Sequence, residues 1–156
     1  MKHPRTSPSL REAGFTLLEL IVVMVIMALA AALALPNGER TRRGLTLQAT
    51  ALVLASSLKN ARSEAIQSNR ERKLVIDLAS RRFWVEGQGP AHALPRELFV
   101  STEVPVSEQA AAGVALVRFR PDGSSSGGKI KFEAPRQTAL VSIDWLTGRT
   151  RVEWGR

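Results

Sequence analysis

The chain has 156 residues, enough for one domain and short for two. It carries 22 Lys and Arg against 14 Asp and Glu, a formal charge of +8, and the arginines that dominate the basic set are scattered rather than gathered into a tail. With no cysteine, disulfides, thiolate metal sites and cysteine nucleophiles are excluded; with only His3 and His92, far apart, no metal-ligand or triad spacing is visible, so no enzyme, cofactor or metal site is expected.

Residues 1–14 are polar and basic, with Lys2, Arg5 and Arg11. Residues 15–35 are apolar except for Thr16 and Glu19, and as a helix they would extend about 30 Å, the thickness of a bilayer's hydrocarbon core. A cleaved secretory signal has a shorter apolar region, about 7–15 residues, and ends in a small-residue cleavage site. Here the Ala-rich stretch runs unbroken to Pro36, so a retained membrane helix over 15–36 is expected. Charge does not orient it, because Lys2, Arg5 and Arg11 on one side balance Arg40, Arg42 and Arg43 on the other.

Glu19 is the informative residue of the span. A carboxylate at the centre of a bilayer costs about 2.5–3.5 kcal/mol on insertion scales, and less near an end. Thr16-Leu17-Leu18-Glu19 fits a capping box, which accounts for the acid locally. A cationic partner supplied by another molecule accounts for it functionally. The two roles are compatible, and both stay open.

Pro36-Asn37-Gly38 interrupts or kinks the helix. Residues 40–68 form a second helical stretch, with Leu47, Ala51, Leu54, Leu58, Ala61 and Ala65 on one face and Asn69-Arg70 at its end. After Arg72 the apolar period changes from helical to two, which predicts strands over 73–78 and 82–85. A short strand is expected at 98–100, and a surface loop at 105–113 within a Gly-, Pro- and Ala-rich region. Strands follow at 114–120, 129–132 and 139–145, the last pairing with 150–154 across a Gly148-containing hairpin loop.

Gly123-Ser124-Ser125-Ser126-Gly127-Gly128-Lys129 satisfies the first seven positions of a phosphate-binding P-loop. The eighth, which should be Ser or Thr to hold Mg²⁺, is Ile130, and an alternating strand follows where a helix is required. The stretch is read as a hairpin connection.

Gly14-Phe15-Thr16-Leu17-Leu18-Glu19, after a short basic leader and before an apolar span, resembles the type IV prepilin signature. The resemblance implies cleavage after Gly14 by a membrane prepilin peptidase, N-methylation of the new amine at Phe15, and pairing of Glu19 with the Phe15 amine of a neighbouring subunit in a filament core. It also places the N-terminus in the cytoplasm and the remainder, as a single-pass inner-membrane protein of a bacterium, in the periplasm. Ala61-Arg62-Ser63-Glu64-Ala65-Ile66 looks like a segment shared by H-type pseudopilins and related minor pilins. Phe119-Arg120-Pro121-Asp122-Gly123 and Asp144-Trp145-Leu146-Thr147-Gly148-Arg149 are similar to the general secretion pathway protein H family of type II secretion.

That family implies an α+β lollipop: a long N-terminal transmembrane and amphipathic helix packed on an antiparallel β-sheet domain. The implied organisation is a leader over 1–14, a span over 15–36, the periplasmic part of the helix over 37–72 and a β domain over 73–156. The implied function is that of a minor pseudopilin near the tip of a periplasmic pseudopilus that helps to export folded proteins. The implied partners are other minor and major pseudopilins, the prepilin peptidase and the inner-membrane assembly platform. The alternative is a minor type IV pilin for pilus assembly or DNA uptake, which the charge and Arg149, Arg151 and Arg156 make worth stating. Nucleic acid is not the expected partner, because Trp145 and Trp154, the aromatics among these arginines, are equally well explained as core residues.

Overall fold

Leucine and alanine recurring every three to four residues make a helix with one apolar stripe, and that stripe organises the domain. In the computed structural model, which describes residues 16–34 and 38–155, helix α1 spans Leu17–Ala34 and helix α2 spans Gly38–Ser68. The leader, Gly14, Phe15, the break at Pro36-Asn37 and the terminal Arg156 lie outside the described residues. The chain divides into two units between Gly38 and Glu39.

In the second unit, Leu47, Ala51, Leu54, Leu58, Ala61 and Ala65 are all buried, as their spacing requires, and Ala55 joins them. The three leucines each contribute about 1.5–3 kcal/mol by leaving water. The helix stops at Asn69, whose φ of 49° is left-handed. Its N–H donates to Ile66 O, and the Arg70 N–H reaches back to Ala65 O, which together satisfy two carbonyls of the last turn.

Among the described residues nine strands follow: β1 Arg72–Asp77, β2 Arg82–Val85, β3 Gln88–Ala93, β4 Phe99–Glu103, β5 Gln109–Ala111, β6 Val114–Phe119, β7 Gly128–Ala134, β8 Gln137–Ile143 and β9 Thr150–Gly155. They form two antiparallel sheets, in the orders β3-β2-β1-β6-β5 and β4-β7-β8-β9. Period-two burial divides β1, β2, β6, β7 and β8 into an inner and an outer row. Leu74, Ile76, Phe83, Val117 and Phe119 line the inner face of the first sheet, and Ile130, Phe132, Ala139 and Val141 that of the second. Both rows join the buried face of α2 in one hydrophobic cluster. The expected helix on an antiparallel sheet is present, with the sheet in two parts.

Three expectations are corrected. The stretch 120–127 is not a hairpin connection: β6 pairs with β1 and β5, whereas β7 pairs with β4 and β8, so the Ser/Gly loop carries the chain from one sheet to the other. Residues 105–113 are not simply a surface loop. They hold a 3₁₀ turn at Val106–Glu108 and strand β5, and Glu108 is buried against Arg118, which also bridges Glu71 at 3.0 Å. The hydrogen bond to Glu108, above all, holds the Arg118 pKa above its ordinary value. Strand β8 ends at Ile143, two residues before the expected boundary, because Asp144 opens a turn.

The Gly- and Pro-rich stretch after β2 is also organised by one cation. Arg81 donates from Nε to Leu94 O and from Nη2 to Pro95 O and Leu98 O, and Leu94 and Leu98 are buried beside it. A single guanidinium thus satisfies three carbonyls of a segment that has no ladder of its own.

Candidate functional site

The helix start that the sequence marks as a capping box is capped. Thr16 Oγ1 accepts from the Glu19 N–H at 3.2 Å, while Thr16 O accepts from Glu19 and Leu20. The Glu19 side chain is exposed in the first helical turn, where a carboxylate also complements the helix dipole. The cap is therefore in place and leaves the acid accessible to a partner. From Leu17 to Leu29 every large apolar side chain of α1 is exposed, from 47% at Val22 and Val23 to 80% at Leu17. Among the described residues no helix is both long and apolar enough to cross a membrane. Helix α1 has 18 residues, a rise of about 27 Å, and the apolar run of the sequence extends past both its ends.

The second candidate region brings together three segments far apart in sequence. Arg62, on α2 beside the buried stripe, donates from Nε to Gly123 O at 3.0 Å and to Thr147 O at 3.0 Å. It thereby ties the helix to the inter-sheet loop 120–127 and to the β8–β9 turn 144–149. Gly148 (φ 62°) and Gly123 (φ 84°) have backbone conformations that side chains rarely adopt. They also leave the space that Arg62 fills: a Cβ on Gly148 would lie 2.3 Å from Gly123 O and 2.9 Å from Arg62 Nε.

Each loop is internally braced. Asp122 Oδ1 accepts from the Ser124 N–H and hydroxyl, and Asp144 Oδ1 accepts from the Leu146 and Thr147 N–H groups and the Thr147 hydroxyl. These bonds lower both carboxyl pKa values, through the Ser124 hydroxyl first at Asp122 and the Thr147 N–H first at Asp144. Buried Ser125 stitches the loops together: its N–H donates to Trp145 O and its hydroxyl to Asp144 O.

Trp145 and Trp154 are not core residues. Their exposures are 67% and 50%, and Leu146 beside Trp145 is 63% exposed. Trp145 follows Asp144 in a turn that the Gly148 N–H closes onto Asp144 O. Trp154 lies on β9, the edge strand of its sheet, with no further described strand to cover it. The role of Arg62 was missed from sequence because its partners are carbonyl oxygens 61 and 85 positions away. The signal available was that one Arg and two Gly-containing turns all fell within the segments carrying the family resemblance. Among the described residues no three His, Cys, Asp or Glu side chains gather as a metal site.

An amphipathic helix whose stripe is covered by antiparallel sheet, preceded in the chain by a helix apolar except for Glu19, is the fold of the pilin class. The fold is similar to the minor pseudopilin EpsH of the Vibrio cholerae type 2 secretion system (TM-score 0.55, 16% identity, 69% of this chain and 95% of that one). It is equally similar to the type IV minor pilin FimU of Pseudomonas aeruginosa (TM-score 0.54, 19% identity, 72% and 91%). The fold therefore does not separate a secretion subunit from a pilus subunit. Sequence comparison does. The chain belongs to the Type II transport protein GspH family, whose model matches residues 50–148, and the prokaryotic N-terminal methylation motif matches residues 9–35. It is 30% identical over 153 residues to Type II secretion system protein H of Xanthomonas campestris pv. campestris, covering 96% of this chain and 89% of that protein. The family is one of structural pseudopilins rather than known enzymes, and it implies contact with other pseudopilins.

Proposed function

We propose that this chain is a minor pseudopilin of a type II secretion system, made as a precursor, cut after Gly14, N-methylated at Phe15 and assembled near the tip of a periplasmic pseudopilus. The observation that carries the reading is the presence in one chain of the N-terminal methylation motif and, from residue 50 onward, the GspH domain. Residues 15–36 then anchor the subunit in the inner membrane, residues 37–72 continue as its periplasmic helix, and residues 73–156 form the β domain that faces the periplasm. Exposure of every large apolar side chain from Leu17 to Leu29 supports a helix whose solvent is lipid or other subunits rather than water. Glu19, capped but exposed, pairs with the Phe15 amine of a neighbouring subunit. Opposite charges attract strongly in a low-dielectric filament core, but desolvation offsets much of the gain, so the pair sets subunit register more than stability.

Intact mass and N-terminal peptide analysis of membrane-extracted protein, with and without the prepilin peptidase, tests the processing. The expected product begins at N-methylated Phe15 and only when the peptidase is present; removal of 14 of the 156 residues leaves 142. A chain that still begins at Met1, or one cut near Ala34, overturns the reading. Glu19→Ala is expected to be cleaved normally and to fail in filament assembly, scored by secretion and by cross-linking of subunits. Normal assembly of that variant leaves Glu19 with a helix-start role alone.

A further inference from the structure

Four strands end the two sheets: β3 and β5 in the first, β4 and β9 in the second. An unpaired edge offers a row of N–H and C=O groups to any other chain, and proteins blunt such edges with proline, bulges or very short strands. β3 contains Pro90 and shifts register against β2, and β5 has three residues and shifts register against β6. β4 borders a cleft lined by Thr102 and Val104 on one side and by Gln109, Ala111 and Val114 on the other. β9 has none of these devices. Its six residues, Thr150–Gly155, include no proline and pair with β8 without a shift, from Ile143↔Thr150 to Thr138↔Gly155.

One bond fixes the direction of its backbone groups. The Asp144 N–H donates to Arg149 O, in the register that β8 and β9 continue. Hydrogen-bonded positions alternate along an antiparallel strand, so Arg151, Glu153 and Gly155 turn their N–H and C=O groups to β8, and Thr150, Val152 and Trp154 turn theirs outward. Arg151 and Glu153 are exposed on one face of the strand, and among the described residues neither makes an ion pair. Arg151 also bears on the Asp144 carboxylate, after the Thr147 and Leu146 donors. Trp154, in the other row with Thr150 and Val152, is 50% exposed.

We propose that β9 is the edge on which a second copy of this chain docks, adding its own β9 antiparallel about a two-fold axis at Val152, so that one sheet runs through both copies. The strand itself specifies a second copy, because Thr150-Arg151-Val152-Glu153-Trp154 is complementary to itself read in reverse. In that register Val152 meets Val152, Arg151 meets Glu153 twice, and Trp154 meets Thr150 twice, an aromatic–β-branched pair of the kind that favours sheet pairing. Thr150, Val152 and Trp154, whose backbone groups point outward, then meet in hydrogen-bonded pairs, and Arg151 and Glu153 meet at the closer, non-hydrogen-bonded positions. A slip of two residues sets Arg151 against Arg151 or Glu153 against Glu153, and a slip of one sets opposite faces of the strands together. The chain's charge of +8 opposes association at long range, but salt screens charges separated by more than about 8 Å at about 0.15 M, and contacting pairs much less. This pairing goes beyond the filament reading and does not depend on it, since it uses no residue of the first helix.

The test is the association state of the full chain in detergent at about 0.15 M salt, measured by sedimentation over a range of protein concentrations. Wild type is compared with Arg151→Glu, with Glu153→Arg and with the double exchange of both. The two side chains are exposed, so thermal unfolding should match wild type and report any failure to fold. The expected result is a wild-type dimer, weakened at least tenfold by either single reversal, which sets two pairs of like charges together, and restored by the double exchange. The chain has no cysteine, so Val152→Cys should give an oxidised dimer free of background, and Arg151→Cys should not. A monomer at every concentration, or a dimer indifferent to both single reversals, overturns the pairing. Either leaves the filament reading intact, because processing after Gly14 and secretion are scored separately. An oxidised Val152→Cys product of any mass other than twice that of the chain means that a different protein lies along β9, and overturns the second copy.

Discussion

Helices α1 and α2 are both rich in leucine and alanine, yet they meet their surroundings in opposite ways. In α2 the apolar residues fall on one face, and Leu47, Leu54 and Leu58 are almost wholly excluded from solvent by the chain's own sheets. In α1 the apolar residues go all the way round, and Leu17, Met24, Ile26 and Met27 are each at least 60% exposed. A stripe can be covered by one domain, but a helix apolar on all sides needs an apolar environment on all sides. The first helix is therefore written for partners outside the chain, the second for a partner inside it.

The sharpest way to break that comparison is to place the same charge in each helix. Leu58→Asp puts a carboxylate where no water reaches; loss of a cooperative thermal transition in the β domain is expected, a cost above about 4 kcal/mol. Val25→Asp, on α1, should leave that transition unmoved. Its expected effect is on retention in membranes, at about 2.5–3.5 kcal/mol of insertion free energy, measured by carbonate extraction. Equal loss of β-domain stability in both variants would remove the distinction.

A smaller effect is expected at the latch between α2 and the two loops. Arg62→Ala deletes a charged donor shared by Gly123 O and Thr147 O, and should lower stability by about 1.5–3 kcal/mol in denaturant titration. Gly148→Ala should add to the damage through its positive φ and its contact with Gly123 O, and should combine non-additively with Arg62→Ala because the two share one site. Additive costs would mean that the turn and the helix are held independently.

The smallest effect is a pH dependence confined to the turns. Asp77, Asp122 and Asp144 all have folded-state pKa values below the ordinary 3.8, held down by hydroxyl and backbone N–H donors. A depressed carboxyl contributes stability above its unfolded pKa and loses it as pH falls through the folded one. Thermal stability should therefore decline as pH drops below about 3.8, and Asp144→Asn should decline less steeply while starting lower. Parallel profiles for the two proteins would remove Asp144 from the acid response.

The helical stripe from Leu47 to Ala65, the helix end at Asn69 and most strands were legible because each is a local pattern, with a period of 3.6 or 2 and a recognisable breaker. Strands β3 and β5 were not, since Gln88–Ala93 and Gln109–Ala111 lie at sheet edges, are largely exposed and carry no alternation. The Thr16–Glu19 cap could be read directly, because all its atoms come from one turn. The exposure of Trp145 could not, because composition places tryptophan inside, whereas in the closed Asp144–Gly148 turn it is exposed.

What the sequence by itself determined is everything carried by near neighbours: the apolar run with its single acid, the cap that opens α1, the α2 stripe and the strand periods. Tertiary structure alone decided that β6 and β7 belong to different sheets, that Arg81 gathers the 94–98 carbonyls, and that Arg62 joins loops 61 and 85 residues away. The physical reason is that periodicity and capping are set by side chains within a turn or two of one another. A carbonyl's distant donor and a strand's partner are chosen only when the whole core closes and every buried polar group must find its match.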